Sequence, residues 1–180
     1  DVCSSDLVCT AAKPEIADYH FTTIVPNLGV VFNEGERSFA IADIPGLIEG
    51  ASQGLGLGHE VLRHIERTRL IVHVIDVSGS EGREPFADFL KINEELMQFS
   101  LALASKPQII ALNKTDIDVS RVSEFKQKFH AWLEENHDNI DDAYDKGAWR
   151  VFEMSAVTNA GVSEIMAYCG SILDKMPNQL

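Results

Sequence analysis

Basic residues are scarce in this chain. Its 180 residues carry 15 Lys and Arg against 28 Asp and Glu, a formal net charge of −13. Phosphate contacts along a nucleic acid need a basic face, so a free-standing nucleic-acid binder is a poor expectation. A single nucleotide is different, because local N–H groups and one or two cations suffice to hold it. Cysteine is scarce too: Cys3, Cys9 and Cys169, odd in number and without a CxxC. That argues against a disulfide framework and for a reducing, cytoplasmic setting. No apolar run approaches the ~20 residues of a membrane helix, and no basic-then-apolar leader is expected at the front. The histidines do not cluster. His59 and His64 fall on different helix faces, which speaks against zinc, and His73 reads as a satisfied core residue. Spacing supports no Ser-His-Asp or paired-carboxylate arrangement.

What is present is enough for one folded domain, with 45% hydrophobic and 24% charged residues. Leu28 to Phe32 reads as a strand, and Asn33 to Glu36 as a hairpin turn into a second strand at Ser38. His59 to Thr68 is helical in pattern, and Leu70 to Val77 (LIVHVIDV) is a buried strand. Phe86 to Ala104 reads as one helix, with Phe89, Leu90, Ile92, Leu96, Phe99 and Leu103 inward. A strand follows at Gln108 to Leu112, then an amphipathic helix at Val122 to Glu135. His137 to Gly147 is an acidic surface loop, Arg150 to Met154 a last strand, and Gly161 to Met176 a closing helix. Strands alternating with helices mean an α/β fold with a mostly parallel sheet covered on both faces.

The chemistry gathers at strand ends, where open α/β sheets bind ligands. The strand Phe39-Ala40-Ile41-Ala42 runs into Asp43-Ile44-Pro45-Gly46. An Asp there can hold a metal through water, and a Gly lets backbone N–H groups approach a phosphate. Asp-x-x-Gly is expected about once by chance in a chain this long, so its weight comes from its company. Upstream, Phe21-Thr22-Thr23 offers a threonine hydroxyl, a good hard ligand for Mg²⁺. The run Gly54-Leu55-Gly56-Leu57-Gly58 has the wrong spacing for a dinucleotide fingerprint and reads as a hinge. Asn113-Lys114-Thr115-Asp116 closes another strand. An Asp there can accept two hydrogen bonds from a ring N–H and an exocyclic amine, a pair that guanine offers and adenine does not. The Asn can brace the loop, and the Lys stem can lie over the base plane. Ser155-Ala156 follows the next strand, where small residues let N–H groups reach a base edge such as the guanine O6.

The order Thr-Thr, Asp-x-x-Gly, Asn-Lys-x-Asp, Ser-Ala resembles the G domain of translation-factor-class GTPases. The stretches AAKPEIADYHFTTIVPNLGVV and DIPGLIEGASQGLGLGHEVLRHIERT, with NKTD, resemble the Obg (CgtA) family of bacterial ribosome-assembly GTPases. The resemblance runs from Val8 to about Met176. It implies a P-loop-NTPase-like, three-layer α/β/α G domain that hydrolyses GTP to GDP with Mg²⁺. Phe21, Thr22, Thr23, Ile24 and Val25 would be a switch segment, with Thr23 a Mg²⁺ ligand. Asp43, Ile44, Pro45 and Gly46 would face the γ-phosphate, Asp43 reaching Mg²⁺ through water. Asn113, Lys114, Thr115 and Asp116 would select guanine, helped by Ser155, Ala156 and Val157. Leu47 stands where many GTPases carry a glutamine that orients the attacking water, which implies slow intrinsic turnover. The large ribosomal subunit would be met through domains outside this sequence, by a cytoplasmic monomer.

The front departs from the family pattern. By family spacing, Asp1-Val2-Cys3 stand where a GxxxxGKS phosphate loop has Gly-Lys-Ser. Residues 1–7 are therefore expected to be a non-family leader. Residues 8–180 are expected to be a G domain lacking the phosphate loop and its first strand, which the family places between the Ser38 and Leu70 strands. A second reading follows, in which the chain is a degenerate, nucleotide-free G domain that presents its surface to a partner.

Overall fold

The computed structural model describes residues 27–32, 38–43, 58–79, 82–136 and 149–176. Among them the elements run β1 (Asn27–Phe32), β2 (Ser38–Asp43), α1 (Gly58–Glu66), β3 (Ile71–Asp76), α2 (Pro85–Phe99), α3 (Leu101–Ala104), β4 (Gln108–Asn113), α4 (Val119–Asn136), β5 (Val151–Glu153) and α5 (Val162–Lys175). The expected hairpin turn, the glycine run 54–57 and the acidic loop lie outside the described residues.

The strands form two sheets. β1 and β2 pair antiparallel, and β3, β4 and β5 pair parallel in that order. Among the described residues no strand lies between β2 and β3. Strand β4 explains the layering. All six of its residues are buried, and successive side chains point to opposite faces. Ile109 and Ala111 join Val162, Ile165, Cys169 and Ile172 of α5 in one core. Ile110 and Leu112 join Phe89 of α2 and Val122, Phe125 and Phe129 of α4 in another. Helices thus cover both faces, each buried large side chain contributing about 1.5–3 kcal/mol.

The expected helix Phe86–Ala104 is two helices. Pro85 opens α2 behind Glu84, whose carboxylate accepts the Ala87 N–H. Ser100 breaks it with extended backbone (φ −163°, ψ 131°) and caps α3 by accepting the Ala102 N–H at 3.2 Å. Capping by a serine side chain competes with continuing the helix. Leu90, expected inward, is exposed, while Phe89, Leu96 and Leu103 are buried.

His73 also departs from expectation. Its ring stacks on Phe89 at 5.7 Å, but its Nδ1 has no hydrogen-bond partner, and neither has Oε1 of buried Gln108. The Gln108 amide instead donates to Asn93 Oδ1 at 2.7 Å. Burial pushes the imidazole down from 6.5 to about 4, with the Gln108 side chain opposing.

Candidate site for a purine base

Parallel strands bring their carboxyl ends to one rim. Asp76, the last residue of β3, is the register partner of Asn113, the last of β4. Strand β5 leaves the sheet through Met154 into Ser155, so the loops after β4 and β5 meet. Asn113 joins them. It is buried, and its Oδ1 accepts the N–H of Lys114 at 2.9 Å and that of Ala156 at 3.0 Å. Thr115 repeats the tie, its N–H (3.3 Å) and hydroxyl (3.0 Å) both donating to the Met154 carbonyl. On the other flank Val77 N–H donates to the Asn113 carbonyl at 3.1 Å. Removing the Asn113 side chain would strip one buried and one part-buried amide of their acceptor, at about 1–3 kcal/mol each before relaxation.

Lys114 sits at φ +64°, a left-handed backbone that costs an L-residue on the order of 1–2 kcal/mol. Ile117 N–H closes the turn onto the Lys114 carbonyl at 3.1 Å. The Lys114 ammonium is 2.8 Å from Asp76 Oδ2. Asp76 is itself held, its Oδ1 accepting the Ser78 N–H (2.9 Å) and hydroxyl (2.6 Å). Asp116, in the same turn, is exposed, and its carboxylate has no hydrogen-bond or ion-pair partner among the described residues. Asp118 then starts α4, accepting the Ser120 hydroxyl and N–H. Those bonds hold its carboxyl below the usual range.

In the loop after β5, Ser155 N–H donates to the Ala160 carbonyl at 3.0 Å and Ala156 N–H to Asn113 Oδ1. Ser155 Oγ also accepts the Thr158 N–H at 3.2 Å. The next amide, of the exposed Val157, makes no hydrogen bond among the described residues. Gly161 ends the loop at φ +77°, where a Cβ would stand 2.1 Å from the Glu153 carbonyl oxygen, so only glycine fits.

Asp43 ends β2, half-buried. Phe21, Thr22, Thr23, Ile24, Val25, Ile44, Pro45, Gly46 and Leu47 lie outside the described residues. Among the described residues no three His, Cys, Asp or Glu side chains group to hold a metal, and no helix is long and apolar enough to cross a membrane. The donor set fits a purine base well, with one free carboxylate and one free amide on braced loops. Of the residues expected to hold a hard cation, Asp43 is described and offers a carboxylate.

Sequence reasoning missed Asp76 and Ser78. The signal was an acidic residue closing the strand next to the Asn-Lys-x-Asp strand, visible only once the two strands are paired.

Comparison with known proteins agrees with this geometry. Residues 6–114 match the family model described as 50S ribosome-binding GTPase. Proteins named GTPase Obg are 49% identical in Clostridium acetobutylicum (94% of this chain, 37% of the relative) and 52% identical in Anoxybacillus flavithermus (94% and 36%). That of Streptococcus pneumoniae is 50% identical (96% and 38%). The chain thus spans little more than a third of these relatives' length. Among solved structures, a bacterial selenocysteine-specific elongation factor superposes with a TM-score of 0.66 at 18% identity, over 97% of this chain and 27% of that one. The cytosolic domain of the T. maritima FeoB iron transporter gives 0.59 at 18%, over 99% and 61%. The Phe21-Thr22-Thr23 and Asp43-Ile44-Pro45-Gly46 motifs fall within the matched span and Asn113 and Lys114 at its edge, and the chain belongs to the family of 50S ribosome-binding GTPases, alongside relatives named GTPase Obg.

Proposed function

We propose that this chain is the guanine-nucleotide module of a GTP-hydrolysing switch that serves assembly of the large ribosomal subunit. The observation that carries the reading is the pairing of a braced loop with a carboxylate that has no partner among the described residues. Asn113 fixes the loop from both sides, and Asp116 is left exposed with both oxygens available. A carboxylate so placed accepts the guanine ring N–H and exocyclic amine together, and adenine has no such pair of donors. The Lys114 stem lies against the base plane, and the Val157 amide serves the guanine O6 in place of Ala156.

At the phosphate end, Thr23 and Asp43 would hold Mg²⁺, which when bound neutralises charge on the phosphate oxygens. Phe21, Thr22, Ile24, Val25, Ile44 and Pro45 would belong to this end, and the Gly46 N–H would face the terminal phosphate and be released after hydrolysis, as in order–disorder switches. Leu47 has no group to orient water, so the reading includes slow turnover. Ribosome contact belongs to the longer protein, acting as a cytoplasmic monomer.

The test is a titration of the chain with fluorescent GDP in Mg²⁺, with ADP as competitor. Guanine-selective binding is expected, and Asp116→Asn should lose GDP and gain xanthosine diphosphate, whose ring carbonyl suits an amide donor. Equal competition by ADP, or no GDP binding up to millimolar concentration, would sink the reading and favour the nucleotide-free module.

A further inference from the structure

We propose that Asp76 is a positioning residue for base selection. It holds the Lys114 ammonium away from Asp116 and so keeps the selecting carboxylate free. The inference rests on the nucleotide reading above and adds to it a residue that no motif contains.

Lys114 and Asp116 carry opposite charges two residues apart in one tight turn. A flexible, strongly hydrated ammonium beside a carboxylate is a natural partner for it. Yet among the described residues the carboxylate makes no ion pair, and the ammonium goes instead to Asp76, 38 residues upstream, at 2.8 Å. Three features favour that choice. Strand register places Asp76 directly beside Asn113. The Ser78 N–H and hydroxyl fix Asp76 Oδ1 and leave Oδ2 turned to the lysine. The left-handed backbone of Lys114 (φ +64°) re-aims its side chain. Both members of the pair are about one-third exposed, so in water the tie is modest. Its effect is to choose between two carboxylates and to restrict a lysine that would otherwise sample many rotamers. A tethered ammonium also stretches the lysine stem into the flat shelf a base plane needs.

Two readouts on the full 180-residue chain test this. The first needs no nucleotide. Competitive acylation with acetic anhydride, read by mass spectrometry, compares Lys114 with the surface lysine Lys126. Asp76→Asn is expected to raise Lys114 labelling about 3-fold or more while Lys126 stays constant. Unchanged labelling overturns the proposal. The second is the ratio of GDP to inosine diphosphate affinity, since hypoxanthine lacks the exocyclic amine that Asp116 reads. Asp76→Asn should lower this ratio about 3- to 10-fold, because the freed ammonium turns to Asp116. Lys114→Met should abolish the sensitivity, leaving the double variant with the ratio of Lys114→Met alone. Loss of affinity for both nucleotides with an unchanged ratio makes Asp76 merely structural and overturns the proposal. A wild-type chain that binds neither nucleotide sinks the function reading instead, and the acylation arm still judges Asp76.

Discussion

Every residue of β4 is buried, whereas alternate residues of β1, Leu28 and Phe32, stand 74% and 75% exposed. Both segments are apolar six-residue strands, so composition does not separate them. Coverage does. β4 lies between two parallel neighbours with α2 and α4 on one face and α5 on the other. In the β1–β2 hairpin Val31 is buried, while Leu28, Val30 and Phe32 face outward opposite Ala42, Ala40 and Ser38. The loops proposed to read the base grow from the covered half, where buried strand residues anchor them. The hairpin carries Asp43 at its end, and each of its two strands has a ladder partner on one edge only among the described residues. Rigidity is thus concentrated at the base side, which suits a switch that recognises one constant group and responds to a variable one.

The largest expected effect breaks the covered half. Phe89 is fully buried and meets the rings of Phe86, Phe125, Phe129, Trp132 and His73. Phe89→Ala should cost about 3–5 kcal/mol in urea unfolding, from lost burial and the cavity left behind. Next comes Asn113→Ala, which leaves the Lys114 and Ala156 amides without their acceptor. About 2–4 kcal/mol is expected, together with loss of guanine-nucleotide binding. If Asn113→Ala binds GDP as the wild type does, the two loops are held by their strands alone.

Much of this was legible beforehand. Asn113-Lys114-Thr115-Asp116 and Ser155-Ala156 were placed at strand ends, because short apolar runs followed by polar residues mark such ends. The sandwich followed from alternating strand and helix patterns. What escaped was long-range. Ile75-Asp76-Val77-Ser78 and Ile117-Asp118-Val119-Ser120 are the same four residues, and in both the Asp accepts the Ser N–H and hydroxyl two positions on. Local sequence therefore dictates the same turn twice. Only the first faces Lys114, and that depends on the parallel register of β3 with β4, which no local pattern states. The bonding of the Ser155 and Ala156 amides escaped for a related reason. Their acceptors, the Ala160 carbonyl and Asn113 Oδ1, are supplied by the folded loop and a neighbouring strand. The apolar spacing runs through Ser100 without a break, and its capping of α3 is what divides the helix.

His73 offers a pH handle on the covered half. Its folded pKa of about 4 lies below the 6.5 of the unfolded chain. The unfolded state therefore takes up the proton first as pH falls, and stability drops between about pH 6.5 and 4. The whole interval is worth roughly 3 kcal/mol, with no further loss from this group below it. Urea midpoints at pH 7.5 and pH 5 should differ in the wild type, and in His73→Leu that difference should shrink. An unchanged pH dependence in His73→Leu would mean that the ring is hydrated in solution.

The smallest expected effect lies on the open half. Phe32 faces away from Val31 and the covered side, and its register partner is Ser38. A large apolar ring in water gains nothing from folding, so Phe32→Ser should change stability by about 0.5 kcal/mol or less. It removes one member of the exposed Leu28, Val30, Phe32 row and so should reduce self-association on heating. Paired with Phe89→Ala, it measures the contrast directly, since the same residue type is deleted once from a six-ring cluster and once from the surface. A loss from Phe32→Ser approaching that of Phe89→Ala would show that this face of the hairpin is covered in solution, and the contrast between the two halves would then disappear.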